Sequence, residues 1–153
     1  MKYNSLNDIQ KNLAYDILNK ATQSDTLRQI IAQKESKNVE KHVYQAYKAK
    51  EYDNRGLSGG LADPDNVELV SAGSNGVGVK LVYENTTEGV DTLRGEELAD
   101  TIIEGKAENF ANPNGDWAES RDFITPTIEE LKQGNDLRNG LIDLLRQSGY
   151  QVK

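Results

Sequence analysis

The chain has no cysteine and a single histidine among its 153 residues. The first absence excludes disulfides and thiolate metal ligands while leaving the compartment open. The second leaves His42 as the one imidazole base, on a basic, polar stretch that reads as helix surface. A Ser-His-Asp arrangement would need that histidine, and no G-x-S-x-G segment accompanies it. Ser58-Gly59-Gly60 is too short for a phosphate loop and has no lysine after it. Asp63-Pro64-Asp65-Asn66 with Glu68 offers oxygens of the kind calcium takes. It lacks the glutamate that an EF-hand loop would place near Ser74, so it reads as a turn. Glu96-Glu97 and Glu129-Glu130 sit in first turns of expected helices, where they complement the helix dipole. No catalytic residue, cofactor or metal is assigned, and the chain is read as something other than an enzyme.

Apolar residues are also scarce. Hydrophobic side chains make up 36% and mean hydropathy is −0.72. Leu, Ile, Val and Phe together reach about 23%, just above the range where disorder is the default. The core should therefore be thin, which favours completing burial against other copies. No run approaches the length of a membrane span, and MKYNSLNDIQ lacks the apolar stretch of a signal peptide. A soluble product of a cytoplasm, with no membrane partner, is expected. Positive charge is short as well: the net charge of −7 argues against duplex DNA as a ligand. Residues 1–55 carry ten Lys/Arg against seven Asp/Glu, whereas residues 56–153 carry eight against eighteen. Opposite ends of this kind suit head-to-tail contacts between copies, the alternative being solvated faces that merely differ.

Ser5 and Asp8 form a capping-box pattern before Leu6, Ile9, Leu13 and Ile17, an amphipathic helix to about Lys20. Ser24 or Asp25 caps a second helix from Thr26 to about Lys48. Its stripe of Leu27, Ile30, Ile31, Val39, Val43, Ala46 and Tyr47 is interrupted by the polar run Gln33–Asn38. That gap predicts a helix projecting partly into solvent or onto a partner. Residues 52–66 are turn-rich and read as a loop. Val67–Val70 and Val77–Tyr83 alternate as strands around a Gly73–Gly76 turn. Glu96–Glu104 is a short helix stopped by Gly105, and Asp122–Thr125 is one more candidate strand. Thr125 and Pro126 open the C-terminal helix. Continuous, that helix is apolar on two faces (Ile128, Leu131, Ile142 and Leu145 against Leu137, Leu141 and Leu144); a break at Gly134 would reset the phase. The fold class is α+β: N-terminal helices, a small mostly antiparallel sheet, a short helix and a C-terminal helix on the sheet. Residues 1–50 form the helical part and 51–153 the α+β part of one domain.

The stretch Gly95–Pro126 holds the residues most suggestive of function. Trp117 and Phe123 flank Arg121, either as interface anchors or as the edge of the core. Tyr44, Tyr47 and Tyr52 with Lys48, Lys50 and Arg55 have the composition of a single-strand stacking surface, which Glu51 and Asp53 oppose. The interface candidates are Trp117, Arg121, Phe123, Tyr47, Tyr52 and Arg55.

Three blocks carry a family resemblance. They are Val43-Tyr44, Tyr47, Tyr52–Gly56 and Gly59–Asp63; then Val82–Thr86; then Ile102–Gly105, Gly115-Asp116-Trp117 and Arg121–Thr127. Their order and spacing over residues 43–131 resemble minor tail or neck proteins of Firmicutes siphophages, in the tail-completion, tail-terminator and head–tail joining group. Asp122 stands where the Arg-Pro-Phe-like motif of that group has its proline. The resemblance implies a virion subunit assembled as a ring, commonly of six, between head connector and tail tube. Its partners would be copies of itself, the connector and tail-tube proteins, with DNA only passing through the lumen. A connector stopper or minor capsid protein is the neighbouring reading, and a cytoplasmic binding or adaptor protein the reading from another class.

Overall fold

Serine caps begin the first two helices of the computed structural model, which describes residues 5–46, 58–74, 79–87, 95–105 and 119–152. Of 71–74, 79–81, 83 and 95–97 it describes the backbone alone. Ser5 Oγ accepts from Asp8 N at 3.1 Å, satisfying an amide that a helix start leaves without a partner, and α1 runs Leu6–Thr22. Ser24 Oγ accepts from Leu27 N at 3.3 Å, and α2 runs Asp25–Val39. Beyond it the ladder widens: Gln45 N donates to Glu40 O, making Glu40–Tyr44 a π turn.

The expectation that α2 projects into solvent or onto a partner is overturned. Leu27, Ile31, Ala32, Glu35, Asn38 and Val39 are all buried, as is Val43 in the π turn. The polar run is part of the buried face, because Glu35 and Asn38 fall on the same side as Ile31 and Val39. Two apolar clusters flank them. One gathers Val39, Val43, Leu61, Ala62, Ala99, Ile102 and Phe123; the other gathers Ile31, Ala32 and Val67, with Leu131 and Leu137 against it.

Residues 58–66 are turns, as their composition predicts. Asp63 accepts from Gly59 N at 2.6 Å and Asp65 N at 3.0 Å, capping a 3-10 turn over Pro64–Asn66. Strand β1 (Val67–Ser74) pairs antiparallel with β2 (Val79–Asn85), with Val67 opposite Asn85, Val70 opposite Val82, and an irregularity between Ser71 and Ser74. The expected turn at Gly73–Gly76 falls partly outside the described residues, as does Val77. Helix α1 lies against both strands, and α2 against β1.

Helix α3 spans Gly95–Glu104 and ends at Gly105, whose φ of +69° suits glycine. Two carbonyls of its last turn find partners downstream: Arg121 N donates to Ile102 O at 3.0 Å, and Ser120 Oγ donates to Ile103 O. The strand expected at Asp122–Thr125 does not form. Asp122 Oδ1 instead accepts from Ile124 N and Thr125 N, both at 2.9 Å, so a helix begins there. Helix α4 runs Ile124–Gln133, two residues ahead of the predicted opening at Pro126.

Of the two readings of the C-terminal helix, the structure has the break. Gly134 is extended, with ψ of 158°, and α5 follows as Asp136–Gln147. Lys34 of α2 spans the break, 3.9 Å from Glu130 and 3.6 Å from Asp136. Gly140 lets α5 approach α2 closely, since a Cβ there would lie 2.9 Å from Ile30 Cδ1. Gly149, at φ +88°, closes α5: its N donates to Arg146 O and Tyr150 N to Leu145 O, both at 3.0 Å. The Tyr150 hydroxyl then donates to Asp16 of α1.

Two substitutions separate packing from capping. Phe123→Ala should destabilise the fold by about 3–5 kcal/mol, since it empties a fully buried aromatic position. Asp122→Ala should lose about 1 kcal/mol through the uncapped start of α4. Urea denaturation of both variants checks the order.

Candidate functional site: an apolar helix stripe and a buried polar cluster

The first two turns of α1 present an apolar stripe that the fold does not cover. Leu6 is 72% exposed, and Ile9 and Leu13 each 43%. The spacing of three and four puts these side chains on one face. Burial on α1 is confined to its later turns, at Leu18 and Ala21, because only there does the helix reach the core. Gln10 borders the stripe on one side and Ser5 and Asn12 on the other; all three are exposed and uncharged. On a separate element, Ile128 of α4 is 37% exposed, beside exposed Glu129.

The six interface candidates divide. Tyr47, Tyr52, Arg55 and Trp117 lie outside the described residues. Phe123 is fully buried in the Val39–Ile102 cluster, so of its two readings it takes the core one. Arg121 is 7% exposed, held by its backbone to the end of α3. Neither faces solvent, because the turn of 119–123 is folded under the C-terminal end of α3. Tyr44 accepts from Leu61 N through its hydroxyl at 3.1 Å, tying the π turn to the 58–66 segment. The surface that the stripe forms was visible in the sequence as an apolar periodicity. Nothing in that pattern distinguished a side facing the core from one facing outward.

The second feature is a cluster of buried polar groups around Glu35. Asn85 Nδ2 donates to Glu35 Oε1 at 2.8 Å and to Leu61 O at 3.0 Å. Asn85 Oδ1 accepts from Thr87 N at 3.0 Å and from the Thr87 hydroxyl at 2.5 Å, so all four of its hydrogen-bonding positions are taken. Asn66 Nδ2 donates to Thr87 Oγ1 and Gly60 O, both at 3.0 Å. Glu35 Oε2 is buried and has no hydrogen-bond partner among the described residues. Burial pushes the Glu35 carboxyl up to about 7 from 4.5, against the smaller lowering effect of the Asn85 bond. Sequence reasoning passed over this cluster; its signal was the interruption of an apolar stripe by residues four apart, Ile31 to Glu35 to Val39.

His42 is half-buried in the π turn, and its Nε2 is shielded from solvent with no hydrogen-bond partner among the described residues. At Asp122 burial raises the carboxyl, but the bonds from Thr125 and Ile124 and the charge of His42 together hold it below its ordinary value. Among the described residues no group of three or more His, Asp or Glu could hold a metal ion, and no helix is long and apolar enough to cross a membrane.

One family model, described as YomN, matches residues 4–147 of the chain. No curated protein and no solved structure matches it.

The Glu35 carboxyl has a definite signature in solution. Its folded-state value lies above its unfolded one, so its contribution is fully present below about pH 4.5 and is lost as pH rises to about 7. The loss reaches at most about 3 kcal/mol. Asp63 and Asp122, held low, act in the opposite sense and only under more acid conditions, as pH falls below 3.8. Urea melts from pH 4.5 to 8 should therefore show stability falling towards neutrality, and Glu35→Gln should flatten that fall.

Proposed function

The chain belongs to the YomN family, and we propose that it is a structural subunit of a phage neck, one that joins copies of itself into a ring completing the tail. The observation that carries this reading is the uncovered stripe of Leu6, Ile9 and Leu13 on α1. A chain only 36% hydrophobic that leaves three large apolar side chains of one helix face outside its core has them available for another surface. The resemblance of residues 43–131 to tail-completion and head–tail joining proteins supports the virion setting.

The occupant of the stripe is the next copy of this chain. A ring requires a head-to-tail interface, in which two different patches of one subunit meet their complements on its neighbours. The described residues offer two such patches on separate elements, the α1 stripe and the α4 face bearing Ile128. The two halves of the chain differ in sign, with ten Lys/Arg against seven Asp/Glu in residues 1–55 and eight against eighteen in residues 56–153, while α1 itself is balanced, Lys11 and Lys20 against Asp8 and Asp16. The borders of the stripe at Ser5, Gln10 and Asn12 are uncharged, and the one carboxylate beside its end, Asp16, is bonded by Tyr150.

Light scattering coupled to size exclusion tests the interface. The intact protein should elute as a multi-subunit species, and the double substitution Leu6→Ser with Leu13→Ser should shift it to monomer. Melting of that monomer should stay within about 1 kcal/mol of the stability of the parent, since exposed positions contribute little to the fold. A parent that is monomeric at high concentration, or a double variant that keeps its assembly, would sink the interface. Mass spectrometry of purified particles tests the setting, where absence of the chain would end the virion reading.

A further inference from the structure

Glu35 joins stretches of chain that are far apart in sequence. It reaches from α2 to the end of β2 through Asn85, and Asn85 reaches Leu61 O in the turn before the 3-10 segment. Thr87 and Asn66 then bind the strand end and the turn to each other, with Thr86 N donating to Asn66 O at 2.6 Å. The orientation of the Asn85 amide is locked. Reversing it would set Oδ1 against Leu61 O and Nδ2 against the Thr87 N–H, losing two bonds at once. Asn85 therefore has no further hydrogen for Glu35 Oε2, which is buried with no partner among the described residues. A neutral carboxyl tolerates this arrangement, because one uncharged oxygen lacks a bond. A carboxylate does not, since it would carry charge away from water on an oxygen with no donor.

Among the described residues, the charged groups around Glu35 are engaged elsewhere or reach solvent, and the buried Arg121 has an interaction of its own. On α2, Lys34 pairs with Glu130 of α4 and Asp136 of α5, and Arg28 pairs with Asp25 and Asp65. Asp63 of the turn takes the Gly59 and Asp65 amides. Glu68 of β1 is exposed and Glu84 of β2 half-exposed, both carrying the same sign as Glu35. In the π turn Glu40 and Lys41 reach solvent, and His42 acts on Asp122. None of these adds to the causes that move Glu35, which are burial and then the Asn85 bond.

We propose that Glu35 is a proton-operated clasp: neutral, it seats the Asn85–Thr87 end of β2 on α2, and ionised, it releases that end from α2 and from the Gly60–Asn66 turn. Leu61 and Ala62 remain in the Val39–Phe123 cluster, so the release is a local opening on the polar side and leaves that cluster intact. Burial places the change near neutral pH, where small shifts in acidity would act on it. The inference stands apart from self-association and holds for a single copy of the chain.

Residue-resolved amide exchange of the full chain, corrected for the intrinsic effect of pH, tests it. Protection at Thr86 and Thr87 should fall about tenfold per pH unit between about pH 5 and 7, then level off. Ile31 and Ala32, within α2, should stay more protected than Thr86 and Thr87 at each pH, since the opening that frees the strand end is local. Glu35→Gln should abolish the slope, whereas Thr87→Ala should lower protection at every pH and leave the slope in place. The proposal fails if the parent shows no slope, if Glu35→Gln keeps it, or if Thr86 and Thr87 are as protected as Ile31 and Ala32, which would mean that they exchange only on whole-chain unfolding. Should Glu35→Gln not fold, the contrast between Thr87 and Ile31 in the parent decides alone.

Discussion

The hydrogen bond from Asn85 to Glu35 is the contact that lets the polar middle of α2 face inward. Helix α2 is flanked by α4, α5, β1 and the 3-10 turn, and its inward face changes from apolar to polar and back along its length. A carboxyl and two amides at the middle of a core are tolerable only when their bonds are made, because each unmade one costs about 1–3 kcal/mol. Asn85 meets most of the demand with all four of its positions used, and Glu35 Oε2 is what it leaves over. The same contact pins the hairpin. Asn85 stands opposite Val67, and a slip of one residue would turn it to the other face of the sheet and away from Glu35.

That solution leaves little apolar surface for anything else. The two clusters flanking Glu35 take up Val39, Val43, Leu61, Ile102 and Phe123 on one side and Ile31, Ala32 and Val67 on the other. Helix α1 contributes Leu18 and Ala21 near its end and holds its first turns outside the core. The Tyr150 hydroxyl on Asp16 anchors the middle of α1 to the C-terminal segment, so the exposed stripe is carried on a seated helix. A surface held in place this way loses little further conformational entropy when a neighbour covers it, which favours assembly over opportunistic sticking. A thin core and an exposed apolar stripe are in this sense one property of the chain.

Local signals were the most legible part. Ser5 and Ser24 are caps because a serine hydroxyl satisfies a helix-start amide whatever else the chain does. Gly105 and Gly149 end helices because they adopt positive φ. Strand alternation around residues 67–85 reported the hairpin for the same reason. Where a residue had two local uses, the pattern did not choose between them. Asp122 beside Phe123 and Ile124 has the apolar content of a short strand, yet its carboxylate bonds two successive amides and starts a helix. Gly134 allowed a continuous helix or a break, and packing of both halves around Lys34 of α2 resolved it.

By itself, then, the sequence determined the α+β class, the helix caps and stops, and the hairpin, since each follows from residues near one another in the chain. Tertiary structure alone decided which side of each element faces inward. Glu35 and Asn85 lie fifty positions apart and make the polar middle of α2 a core feature, while Leu6, Ile9 and Leu13, the cleaner apolar pattern, are left outside. Periodicity says that a helix has two faces; only the contacts made by distant segments say which of them is covered.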